Sequence, residues 1–65
     1  MGSLAYRVEG DMWVAYFARP DTMDGAIMLG SIALLAMVEH PVRKRQFIHL
    51  MEQLAGDIVH AAPKG

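Results

Sequence analysis

Residues 25–38 run for fourteen positions without a charge, closed off by Asp24 on one side and Glu39 on the other. In a chain of 65 residues this stretch dominates what can fold, because so large an apolar share must be taken out of water. A helix rises about 1.5 Å per residue, so the run would cover about 21 Å of a bilayer core near 30 Å thick. Uncharged runs of this length are commonly buried core helices, and the reading is a buried helix over about 22–39 rather than a membrane span. Asp21 or Thr22 is a good N-cap, and Asp24 lies three residues after Asp21, where a capping-box acid sits near the positive helix end. From 26 to 38 only Ser31 carries a polar side chain, and a helix apolar all round must be buried all round.

The segment before it reads as β. Residues 4–19 are rich in Val, Tyr, Trp and Phe, and Glu9-Gly10-Asp11-Met12 carries the Gly-polar pair of a type II′ hairpin. A two-residue loop at Gly10-Asp11 sets Glu9 opposite Met12, Val8 opposite Trp13, Arg7 opposite Val14, Tyr6 opposite Ala15 and Leu4 opposite Phe17. One face then collects Leu4, Tyr6, Val8, Trp13, Ala15 and Phe17, and the other Arg7, Glu9, Met12, Val14, Tyr16 and Ala18. A three-residue loop would mix the two sets, so alternation favours the shorter one. The second face remains apolar along Met12, Val14, Tyr16 and Ala18, the pattern of a strand covered on both sides.

After the central run, Pro41 opens a second helix over about 41–60, where its missing N–H costs nothing. At 100° per residue Phe47, Ile48, Leu50, Met51, Leu54, Ala55, Ile58 and Val59 fill one half of the wheel, and the polar residues fill the other. Pro63 stands in a frayed tail over 61–65. The fold class expected is α+β in the order ββαα, one small domain over 1–65, with an all-α helical hairpin as the alternative.

Composition narrows function mainly by exclusion. Without cysteine the chain has no disulfide framework, no thiol nucleophile and no Cys-type zinc site, and the cytoplasm is the default compartment. Arg7, Glu9 and Asp11 interrupt the opening, so it does not read as a secretory signal. A net charge of −1 and a pI near 6.2 disfavour bulk binding of nucleic acid. Ser3 and Ser31 have no histidine at a telling spacing, and no glycine-rich phosphate loop occurs, so no enzyme and no cofactor are expected. The His49/Glu52 pair offers two ligands at most, and no metal is expected.

Two features point outward. A chain near 60 residues buries only about 60% of its unfolded surface, and scaffolds this small need staples. With no cysteine and no metal motif, self-association is the remaining answer, a homodimer being favoured. Its interface positions are Met12, Val14 and Tyr16 of the hairpin, with Met28, Ile32 and Leu35 of the first helix. The six methionines suit an adaptable interaction surface. The second feature is Arg43-Lys44-Arg45 at the start of the second helix, where cations are disfavoured by about 0.3–1 kcal/mol each. It reads as an anion site, or as a solvated turn beside Glu39. The leading expectation is a small non-enzymatic interaction module that self-associates and serves as an accessory or regulatory subunit with a second protein partner. An anion- or nucleic-acid-binding module is the alternative.

Overall fold

The computed structural model describes residues 2–19 and 25–61. Strands β1 (Ser3–Glu9) and β2 (Met12–Ala18) form an antiparallel hairpin in the register that alternation requires, with Leu4 opposite Phe17, Arg7 opposite Val14 and Glu9 opposite Met12. Gly10 takes φ of 62° and Asp11 keeps a negative φ. A type I′ turn needs both residues at positive φ, so the pair makes a type II′ turn. A Cβ on Gly10 would meet nothing within 4 Å, so backbone conformation, and not space, demands glycine here.

Residues 27–33 depart from the sequence expectation. They form a third strand, β3 (Ile27–Ala33), paired antiparallel with β2, and only α1 (Leu34–Glu39) is helical. The single helix over about 22–39 is thus replaced by a strand and a six-residue helix. A short apolar run cannot be assigned to strand or helix from periodicity alone, and composition decides it here. Gly30, Ser31 and the β-branched Ile27 and Ile32 weaken a helix, whereas Leu34, Leu35, Ala36 and Met37 favour one. A sheet in the order β1-β2-β3 also excludes the all-α alternative. Strand β2 is central and paired along both edges, but its position in the sheet does not cover the apolar residues of its second face. The expected caps at Asp21, Thr22 and Asp24, and residues 62–65 of the expected tail, lie outside the described residues, while position 61, read as the start of that tail, is still helical.

The Leu34 N–H donates to the Asp11 carbonyl oxygen at 2.8 Å, tying the start of α1 to the hairpin turn. The His40 N–H donates to the Ala36 oxygen at 2.9 Å and closes α1. The Lys44 N–H donates to the His40 oxygen at 3.2 Å, at the start of α2 (Pro41–Ala61). The fold is α+β, a three-stranded antiparallel sheet followed by two helices.

Helix α2 packs on one face of the sheet. Trp13, Ala15 and Phe17 of β2 point to this face, together with Tyr6 of β1 and Gly30 and Ile32 of β3, which stand opposite Ala15 and Trp13. Tyr6 stacks on Trp13 with ring centroids 4.2 Å apart, and Phe47 of α2 caps the pair at 6.5 and 5.9 Å. Ala15, Phe17, Met51 and Ala55 are buried, so the core lies between β2 and the middle of α2. Among the described residues no helix is long and apolar enough to cross a membrane.

Candidate interaction surface

The other face of the sheet carries Ala5, Arg7 and Glu9 of β1, Met12, Val14, Tyr16 and Ala18 of β2, and Met28, Ser31 and Ala33 of β3. The thinnest dimension of the molecule is 11 Å, that of one sheet and one helix layer, so this face has no second layer over it. Val14 nevertheless keeps only 4% exposure. Its cover comes from its neighbours in the sheet. Arg7 stands directly opposite, and its guanidinium lies 4.7 Å from the centre of the Tyr16 ring. Arg7 also pairs with Glu9 at 2.9 Å, and the Tyr16 hydroxyl donates to the same Glu9 carboxylate oxygen. These hydrogen bonds, that of Tyr16 first and that of Arg7 second, hold the Glu9 carboxyl below its ordinary range. The Tyr16 hydroxyl first, and Glu9 second, raise the Arg7 pKa.

This polar cluster was readable in advance, since the hairpin register already put Arg7, Glu9 and Tyr16 on one face. Of the six interface positions read from sequence, the structure brings Met12, Val14, Tyr16 and Met28 together on this open face. A bulge between Ala15 and Tyr16 in the β2–β3 pairing sets Met28 opposite Tyr16, where it is 63% exposed. Ile32 stands opposite Trp13 and so belongs to the helix-covered face, where it is half-buried. Leu35 lies on α1, exposed to 66%.

Arg43, Lys44 and Arg45 do not converge. At 100° per residue Lys44 falls about 20° from Met51, on the sheet side of α2, while Arg43 and Arg45 lie on opposite flanks. The Lys44 ammonium accordingly sits 5.9 Å from the centre of the Trp13 ring. Among the described residues none of the three makes an ion pair within 4 Å. His49 Nε2 lies 3.4 Å from Gln53 Nε2, and no three His, Asp or Glu side chains among the described residues are grouped to hold a metal.

Helix α2 leaves part of its own apolar half uncovered, since Leu50 and Val59 are exposed while Met51 and Ala55 are buried. Val38 and Val42 project into water at the elbow between the helices. The radius of gyration is 12.8 Å, against about 10.7 Å for a compact domain of this length. Comparison with known proteins gives no match to a family model, to a curated protein or to a solved structure.

Proposed function

We propose that this chain is a small, non-enzymatic, self-associating module of the cytoplasm whose assembled form serves another macromolecule as an accessory or regulatory subunit. The observation that supports it is the one-sided sheet: helix α2 covers one face, the other leaves Met12, Tyr16 and Met28 around Val14 for a further macromolecule, and the uncharged edge strand β3 is left for a second copy. Burial of apolar surface is worth about 25 cal/mol per Å², so a second copy has much to gain from contact with surface its own fold leaves wet.

Sedimentation equilibrium at micromolar concentration tests the reading. A dimer should give twice the 7.2 kDa chain mass. A single species of the chain mass at every concentration up to several hundred micromolar defeats the proposal.

A further inference from the structure

We infer that the copies join through β3, two of these strands pairing antiparallel across a two-fold axis to make one continuous six-stranded sheet. The inference rests on the self-association proposed above and specifies its contact. Among the described residues strand β3 is an edge of the sheet, so the backbone N–H and C=O groups along its outer side have no strand partner there. Proteins usually guard such edges with charges or proline. The opposite edge, β1, carries Arg7 and Glu9. Strand β3 reads Ile-Met-Leu-Gly-Ser-Ile-Ala and carries neither charge nor proline.

Its one guarding feature is the bulge beside Ala15 and Tyr16, which falls toward its N-terminal end and leaves residues 30–33 in regular pairing with β2. Identical uncharged strands set no like charges opposite one another, so β3 is compatible with its own copy. Antiparallel pairing of two identical strands requires an axis normal to the sheet and gives a closed, isologous contact. Both α2 helices then lie on one face, and both open faces merge on the other.

Charge agrees with this choice. Stacking the open faces instead would bury the Arg7–Glu9 pair and the Tyr16 hydroxyl against their own copies, and desolvating an ion pair is costly. Edge pairing leaves them in water.

The absence of cysteine permits a direct test. Single variants Met28→Cys, Leu29→Cys, Ser31→Cys, Ile32→Cys and Ala33→Cys, with Ala5→Cys as a control on the far edge, are oxidised at a concentration where the wild type is a dimer. Directly opposed residues have Cα atoms about 4.5–5.5 Å apart, within disulfide reach, whereas stacked sheets stand about 10 Å apart. Cross-linking should peak at one β3 position and fall steeply on both sides of it, with Ala5→Cys inert. Amide exchange of wild-type β3, read without any substitution, should slow at least tenfold as concentration rises through the dimer range. A dimer whose β3 amides exchange at a concentration-independent rate, or which cross-links at Ala5→Cys instead, overturns edge pairing and leaves self-association standing. A monomer under all conditions overturns both.

Discussion

Gly30 of β3 lies directly beneath Met51 of α2: a Cβ at Gly30 would stand 3.1 Å from both the sulfur and the terminal methyl of Met51, and 3.6 Å from the Phe47 ring. Gly30 is also opposite Ala15, so two of the smallest side chains form the platform on which the helix rests. The sheet and helix can approach only because this platform is flat. Gly30→Leu should therefore cost about 1–3 kcal/mol by overpacking, while Gly30→Ala stays within about 0.5 kcal/mol because the end of Met51 can shift. Met51→Ala should cost about 2–5 kcal/mol, and combining it with Gly30→Leu should cost less than the two losses added. Urea denaturation of the four proteins decides; strict additivity would show that the two residues do not meet.

Gly10 is required for another reason. Its φ of 62° is disfavoured for any L side chain, although nothing crowds the position. Gly10→Ala should lose about 1 kcal/mol. The chain is short enough to synthesise, and D-alanine at position 10 should be neutral or stabilising, since it fits positive φ and stiffens the unfolded chain. Equal destabilisation by both alanines would contradict the turn assigned here.

How much of this was legible in the sequence depends on the range over which the signal acts. The hairpin register follows from local alternation about Gly10, and all its pairs are present. The span of α2 follows from its 3.6-residue period and Pro41. The nature of residues 27–33 was decided elsewhere, by the need of β2 for a second neighbour, and an uncharged run keeps no polar side to reveal its period. The clues were compositional: Gly30 and Ser31 in the first half, Leu34, Leu35 and Met37 in the second. Lys44 shows a related limit of sequence grouping. Grouped by sequence it joins Arg43 and Arg45, but on the helical wheel it belongs with Met51, and it lies over Trp13.

The Tyr6 hydroxyl is enclosed and has no hydrogen-bond partner among the described residues. Enclosure, and secondarily the charge of Glu52, raises its pKa. A hydroxyl in this state is a cost, so Tyr6→Phe should keep the stack on Trp13 and gain about 1 kcal/mol at neutral pH. A folded-state pKa above the unfolded value means that the unfolded tyrosine ionises first. Wild-type stability is thus intact below about pH 10 and falls as pH rises toward the folded pKa, while the variant lacks this loss. The gap between the two proteins should widen from pH 9 to pH 11 in thermal melts; a constant gap argues against it.

Glu9 titrates with the opposite sign. Its carboxyl pKa is lowered first by the Tyr16 hydroxyl and then by Arg7. A depressed folded pKa contributes stability above the unfolded value near 4.3, and that contribution is lost as pH falls through the folded pKa. Carboxyl NMR titration should show Glu9 below the ordinary range in the wild type. Tyr16→Phe should move it upward more than Arg7→Ala does, and the reverse order would assign the main role to the guanidinium. Because the pair is exposed, the effect should shrink with added salt.

The basic start of α2 offers a contrast between charge that acts locally and charge that gathers a ligand. Arg43 lies in the first turn and Arg45 just after it, near the positive end of the helix, on opposite flanks and with no acid in the first turn. Arg43 is unfavourable there by about 0.3–1 kcal/mol and Arg45 by less, so Arg43→Ala combined with Arg45→Ala should raise stability, most of all at low salt. Lys44 differs, because its ammonium gains about 0.5–1 kcal/mol over the Trp13 ring and offsets the same penalty. Lys44→Met, which keeps the apolar stem, should change stability by less than about 0.5 kcal/mol while shifting Trp13 emission. Inorganic phosphate separates this account from an anion site. Divergent side chains give it nothing to bridge, so the melting temperature of the wild type should not rise with phosphate beyond the effect of matched ionic strength. A rise that the double alanine variant abolishes would restore the anion-binding reading of Arg43, Lys44 and Arg45.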